Sequence, residues 1–277
     1  MVSAFFIMLR ETLEAVLVIG ILLGYLTRTG RKRHARGVMW GAAAGVGASI
    51  LGGFLFNALA GGFEGRGEQI FEGVTMLAGS LLMITMIVWF AAQGADGDRL
   101  EKRAEGLSDA GGLGLFFLAA VSVLREGVES VLFIAAAGYQ AEGGVLAGAA
   151  LGFAAALLVG IGFFTISRRV RLSTIFLATN ILLVLFAAGL ASGSMHEFAE
   201  AGVLPSGIEH VWDVNPPQNP DGSFPLLHDK GAVGGIFKGL IGWRGSPSLA
   251  ELVVYFLFAA CATTMWIWAA RRRAPNH

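Results

Sequence analysis

Charge is scarce in this 277-residue chain. Asp, Glu, Lys and Arg make up 14% of it, against about 25% in an ordinary soluble domain. The 20 basic residues balance 20 acidic ones, and a net charge of zero points to no nucleic acid or acidic partner. There is one cysteine, Cys261, so no intrachain disulfide forms. The five histidines (His34, His196, His210, His228, His277) all lie outside the long apolar runs, which argues against a zinc hydrolase buried in a membrane. No G-x-x-x-x-G-K-[ST] stretch occurs, so nothing indicates ATP use. No basic segment precedes Arg10, so no cleavable signal peptide is expected.

What fills the chain instead is apolar. Hydrophobic residues account for 55% and mean hydropathy is +0.67. The 40 glycines match the bias of closely packed transmembrane helices. Seven apolar runs have the length of about 20 residues that spans a bilayer: Ser3–Leu26, Gly37–Gly61, Gln69–Gln93, Gly112–Tyr139, Gly144–Ser167, Leu172–Gly193 and Ser248–Ala270. Alternate connections are basic. Arg28, Arg31, Lys32, Arg33 and Arg36 follow the first run, and Arg99, Lys102 and Arg103 the third. Arg168, Arg169 and Arg171 follow the fifth, and Arg271, Arg272 and Arg273 the last. The positive-inside rule then puts the amino terminus outside and the carboxyl terminus inside.

Two apolar runs contain the same charged pattern. Arg10-Glu11-Thr12-Leu13-Glu14 and Arg125-Glu126-Gly127-Val128-Glu129 are both Arg-Glu-x-x-Glu, 115 residues apart, and Leu9, Val16, Leu17 and Ile19 reappear as Leu124, Val131, Leu132 and Ile134. On a helix, each copy puts two carboxylates and a guanidinium on one face. A charge at the centre of a membrane helix costs about 2.5–3.5 kcal/mol on the insertion scale, so six cost on the order of 15–20 kcal/mol before pairing. Ion pairing of Arg10 with Glu14 and of Arg125 with Glu129 leaves Glu11, Glu126 and the repetition unexplained. Clustered carboxylates suit hard cations, whereas soft ions select Cys or Met. Glu11, Glu14, Glu126 and Glu129 are therefore the candidate cation ligands, with Arg10 and Arg125 balancing their charge.

The duplication extends beyond the motif. Gly41-Ala42-Ala43 and Gly45 resemble Gly148-Ala149-Ala150 and Gly152, and Ile70-Phe71 resembles Ile175-Phe176. The expected architecture is an all-α membrane protein of seven transmembrane helices, with two inverted three-helix repeats plus a seventh helix. Residues 1–93 form the first repeat, 94–111 a cytoplasmic linker and 112–193 the second, inverted repeat. An extracytoplasmic loop follows over 194–247, then the seventh helix and basic tail over 248–277. Inverted repeats place a transport site near the midplane, where the four glutamates would converge. Gly20–Gly24, Gly41–Gly45 and Gly148–Gly152 have the spacing that permits close helix approach.

Polar residues elsewhere carry less. Glu68 and Glu72, at the outer end of the third run, are pathway candidates or interfacial carboxylates. Met76, Met83 and Met86 read as helix packing before a metal relay. His196, Glu197, Glu200 and Asp213 in the outward loop are candidates for metal recruitment, against the plainer reading of a solvated loop. Ser248-x-x-Glu251 after Pro247 is a capping box opening the last helix. Tyr255, Trp266 and Trp268 are interface anchors or packing.

Two Arg-Glu-x-x-Glu motifs in helices 1 and 4 of a seven-helix chain resemble the high-affinity ferric iron permease (oxidase-dependent iron transporter) family, and more narrowly its bacterial EfeU-type members. Phe71-Glu72-Gly73, the stretch from His196-Glu197 through Glu200 to Pro205, and Trp212-Asp213 carry further similarity. The resemblance implies that Glu11, Glu14, Glu126 and Glu129 bind iron beside Arg10 and Arg125. It implies a multi-pass protein of the plasma (bacterial inner) membrane, surrounded by lipid, that is not an enzyme and holds no permanent cofactor. Fe3+ would be the transported ion, and the external partner an oxidase, peroxidase or iron-binding protein. The motifs depart from the commoner Gly-Leu spacer at Thr12-Leu13 and Gly127-Val128. The residues alone reach a hard, multivalent cation. A transporter of manganese, lead or protons remains an alternative, as does an intramembrane acid–base enzyme.

Overall fold

The computed structural model describes residues 1–93, 102–107, 112–140, 143–165, 172–205, 208, 210–219 and 224–273. Arg99, Arg168, Arg169, Arg171, Glu209, Asp221 and most of the 94–111 linker lie outside them, as do the side chains of Ile175 and Phe176. The described chain is helical: α1 (Val2–Arg28), α2 (Ala35–Ala60), α3 (Arg66–Gln93), α4 (Gly112–Gln140), α5 (Val145–Thr165), α6 (Leu172–Glu200), α7 (Ala232–Ile241) and α8 (Leu249–Arg273).

Among the described residues, five stretches are long and apolar enough to cross a membrane: Lys32–Ala60, Arg66–Trp89, Val145–Phe164, Leu177–Glu200 and Leu249–Arg272. α1 and α4 are as long, at 27 and 29 residues. Only the charges set them apart, because any 18-residue window of either takes in most of an Arg-Glu-x-x-Glu motif. The outer flanks carry exposed Trp40, Phe54, Leu55, Leu158, Phe256 and Leu257, an exterior suited to hydrocarbon rather than water.

Packing crosses between the two halves of the chain. α1 lies chiefly on α5, α2 on α4 and α3 on α6, whereas α1 and its neighbour α2 barely meet; α8 leans on α6 and α3. Glycines allow the closest of these contacts. A Cβ on Gly41 would strike the Phe116 carbonyl, and one on Gly45 the Ala120 carbonyl and Leu124 nitrogen. On the other pair, Gly148 meets the Met1 carbonyl, and Gly152 the Phe5 carbonyl and Leu9 nitrogen. Met1, Phe5 and Leu9 precede Phe116, Ala120 and Leu124 by the same 115 residues that separate the motifs. The third glycine pair behaves differently. A Cβ on Gly20 would strike the Phe164 ring first, and nothing lies within 4 Å of a Cβ on Gly24.

The main core joins α3, α4 and α6, with Ile7 of α1 and Ala262 of α8. Met76, Met83, Met86, Ile87, Phe133, Leu183, Phe186 and Leu190 are buried there. The methionine stripe is packing, with one exception described below.

Two boundaries differ from the sequence reading. α6 runs on to Glu200 instead of ending at Gly193, so His196, Glu197 and Glu200 are helical rather than part of a loop. The signal that ends it is Gly202, at φ 66°, with Val203 N–H donating to the Phe198 carbonyl and Gly202 N–H to that of Ala199. This left-handed closure satisfies carbonyls the helix leaves open. The segment between α6 and α8 also contains α7, ended in the same way by Gly242 at φ 71°. Gly242 sits against Gly189 of α6 so closely that neither has room for a Cβ.

Candidate functional site

The two motifs meet where α1 and α4 touch. Ligand oxygens of Glu11, Glu126 and Glu129 all lie within 4.8 Å of one another. Glu11 is buried, with 1% of its surface exposed, and both of its carboxylate oxygens lack a hydrogen bond, as do Oε2 of Glu126 and Oε2 of Glu129. Buried carboxylate oxygens are stable only when something positive or proton-donating faces them. A hard cation between three carboxylates from two helices meets that need with the donor type it prefers.

Glu14 lies outside this 4.8 Å group, but its charge bears on both Glu11 and Glu126. Its Oε1 lies 3.1 Å from Arg10 Nη2. Arg10 Nη1 is 3.6 Å from Glu11 Oε1 and 2.9 Å from Met86 Sδ. On the other motif, Arg125 Nε donates to Glu129 Oε1 at 2.9 Å, and its guanidinium lies 5.3 Å from the centroid of the Trp89 ring. The arginines differ in setting: the Arg10 side chain is 0% exposed and that of Arg125 51%. The spacer residue matters as well. A Cβ on Gly127 would overlap the Ser49 side chain of α2, so α2 can lie on the motif only because that position is glycine.

A second acidic group stands on α3 and α6. The Glu72 carboxylate experiences the charges of Glu197, Glu68 and Glu200. Gln69 Nε2 donates to Glu200 Oε2 at 3.2 Å. His196 Nε2 lies 3.1 Å from Glu200 Oε1, and its Nδ1 3.2 Å from Glu251 Oε1. Glu251 also takes Arg244 Nε at 3.4 Å on its other oxygen, and Ser248 Oγ accepts from its backbone N–H at 3.3 Å. The capping box therefore forms, and its carboxylate additionally ties α8 to α6 and the outer segment. Fourteen residues of α3 separate Glu72 from Met86, about 20 Å of helix. Buried Met76, Met83, Phe133 and Leu190 fill that interval. Asp213 stands apart, accepting from the Asn215 backbone at 2.9 Å.

The chain matches the Iron permease FTR1 family over residues 1–275. It belongs to that family. Among curated relatives, it is 30% identical over 277 residues to the ferrous iron permease EfeU of Escherichia coli O6:H1, covering 98% of this chain and 96% of that one. It is 31% identical over 261 residues to the protein of the same name from Shigella sonnei, covering 92% and 91%. Identity to the Yersinia pestis protein of that name is 28%, covering 98% and 95%. No solved structure matches. Membership of an iron permease family, together with the membrane-length helices, makes this a multi-pass membrane protein concerned with iron transport.

Sequence reasoning singled out every acidic residue of the central cluster but not what holds the arginines. Met86 entered it only as part of a packing stripe and Trp89 not at all, because nothing in a linear pattern marks a side chain that meets a motif on another helix. Gln140 was missed too. It is 5% exposed and donates to the Gly189 carbonyl at 2.7 Å, and standing just past the end of an apolar run it carried no signal of its own.

Proposed function

We propose that this protein carries iron inward across the plasma membrane, the inner membrane in bacteria, through the carboxylates of its two motifs. Seven helices cross the bilayer in this reading, with the amino terminus outside. α1–α3 and α4–α6 are inverted repeats related by a pseudo-two-fold axis in the membrane plane. The matched glycine contacts at a constant 115-residue offset support the repeat, and the basic loops support the orientation. The observation that carries the function is the convergence of Glu11, Glu126 and Glu129, with buried carboxylate oxygens that accept no hydrogen bond.

Iron enters at the outward acidic group of Glu68, Glu72, Glu197 and Glu200 with His196, and passes inward to the central three. Arg10 and Arg125 offset the repulsion among the carboxylates between ions, and the cluster has no permanent cofactor. The ion carried is Fe3+, on the hardness of an all-carboxylate set. Three charges moving inward gain about 7 kcal/mol per 100 mV of potential. A second reading, Fe2+, is favoured by the printed name of the relatives, ferrous iron permease. An extracytoplasmic oxidase, peroxidase or iron-binding protein docks on the outward segment, where Trp212 and Trp243 stack at 6.0 Å. Unchanged uptake after replacing that segment would count against such docking.

The decisive measurement is radiolabelled iron uptake by cells lacking their own importers. Glu11→Gln and Glu129→Gln, each expressed in the membrane, are expected to be silent. Persistent uptake in both would make the glutamates mere partners of the arginines. With iron supplied as ferric citrate, an impermeant ferrous chelator separates the oxidation states: it leaves uptake intact if Fe3+ is carried directly and stops it if the iron must first be reduced to Fe2+.

A further inference from the structure

One helix that carries neither motif touches both motif arginines. Met86 and Trp89 lie three residues apart on α3 and so share a face. Met86 Sδ is 2.9 Å from Arg10 Nη1, and the Trp89 ring lies under the Arg125 guanidinium at 5.3 Å. Each contact leads on to a carboxylate. The quadrupole of an indole face attracts a cation, which sets where the Arg125 guanidinium rests. From there its Nε reaches Glu129 Oε1 at 2.9 Å. One Glu129 oxygen is thereby held, while Oε2 has no hydrogen bond.

On the opposite side, Met86 is 4% exposed and packed in the main core. A thioether is a weak acceptor, so its contribution is placement. It fixes a guanidinium whose Nε and Nη2 make no hydrogen bond between Glu11 Oε1 at 3.6 Å and Glu14 Oε1 at 3.1 Å. Each guanidinium already touches one carboxylate of the trio, Glu11 or Glu129, so a shift of either changes which of those oxygens a cation can reach.

We infer that Met86 and Trp89 are positioning residues of the central cation site, acting through Arg10 and Arg125 to fix which carboxylate oxygens remain available. This rests on the reading of Glu11, Glu126 and Glu129 as a cation site. The arrangement parallels metal centres in which partners of the ligands set ligand orientation, and where their loss lowers affinity 10- to 100-fold. It also makes α3 the element through which the two motifs are linked: a shift of α3 against α1 and α4 disturbs both arginines together.

The test is equilibrium binding of 55Fe, supplied as ferric citrate, to the full chain in lipid nanodiscs. Trp89→Leu is expected to weaken binding between about 3-fold, for a cation–π contact alone, and about 10-fold, for loss of a ligand's partner. Trp89→Phe, which keeps an aromatic face, restores most of it. Met86→Leu keeps the volume, removes the sulfur and weakens binding about 2-fold, the low end for one hydrogen bond because a thioether accepts weakly. In an Arg125→Gln background, Trp89→Leu should add nothing further, since its effect passes through that guanidinium.

Equal affinities for Trp89→Leu and Trp89→Phe, or a Trp89→Leu effect undiminished in the Arg125→Gln background, would overturn the inference and leave Trp89 as packing. Glu129→Gln is the separate control. If it binds iron like the unaltered chain, the cation site itself is misassigned. If it loses binding while Trp89→Leu does not, only the role of α3 fails. Should Arg125→Gln abolish binding outright, the comparison of Leu with Phe at position 89 decides the matter alone.

Discussion

Replacing Gly45 by alanine is the sharpest test of how the fold positions the site. A Cβ there would stand 2.7 Å from the Ala120 carbonyl oxygen, 2.9 Å from Val123 Cβ and 3.1 Å from the Leu124 nitrogen. Two of those atoms are backbone and cannot rotate away, so α2 and α4 must part. Restoring contact distances near 3.5 Å requires a separation of about 0.8 Å. Overpacking of this kind costs about 1–3 kcal/mol, too little to unfold a well-packed helical protein. Leu124 immediately precedes the second motif, however, so the displacement falls on Glu126 and Glu129 relative to Glu11. A binding constellation tolerates about 0.5 Å of misplacement. Iron uptake by Gly45→Ala is therefore expected to fall about 10-fold or more at equal membrane abundance. Gly47→Ala is the control, since nothing lies within 4 Å of a Cβ there, and it should transport normally. Gly152→Ala disturbs α1 through the Phe5 carbonyl and Leu9 nitrogen and should reproduce the defect from the other side. Normal uptake by a well-expressed Gly45→Ala chain would refute the claim that glycine contacts set the carboxylate geometry.

Three further outcomes follow from named contacts. Gly127→Ala drives a methyl into the Ser49 side chain and should reduce uptake, whereas adding Ser49→Gly should restore part of it; a pair whose defects simply add in uptake assays would exclude the contact. Ser248→Ala removes the oxygen that accepts from Glu251 N–H and should lower stability by about 1 kcal/mol, read as a lower midpoint of thermal unfolding in detergent. Glu14→Gln should spare more iron binding than Glu129→Gln, because Glu14 lies outside the 4.8 Å three-carboxylate group; equal loss in 55Fe binding would return Glu14 to the ligand set.

Much of this protein is written in its linear pattern. Membrane helices need long apolar runs and the polar motif stands out against them, so the central glutamates and the helix carrying each were legible. The capping box at Ser248 and Glu251 was legible for a local reason, since its residues are three apart and bond within one turn. Helix ends were harder. His196 and Glu200 read as loop because they are polar, yet they extend α6 until Gly202 takes a positive φ. Composition reports where hydrocarbon stops, not where helical hydrogen bonding stops. α7 was overlooked because ten residues are too few for a membrane-span criterion.

The sequence by itself determined the apolar segments, the duplicated motif and a chemistry of hard cations, because each depends on residue type and spacing within one helix. Only the tertiary structure decided which carboxylates share a site. Oxygens of Glu11, Glu126 and Glu129 come within 4.8 Å of one another, with Glu14 beside Arg10, a convergence made by how α1 and α4 meet. The same holds for Met86, Trp89 and Ser49, whose importance lies wholly in contacts between helices distant in the chain. Periodicity fixes the face on which a side chain stands, but its partner is fixed by helix packing, and here glycines without side chains let the backbones close until the charges meet.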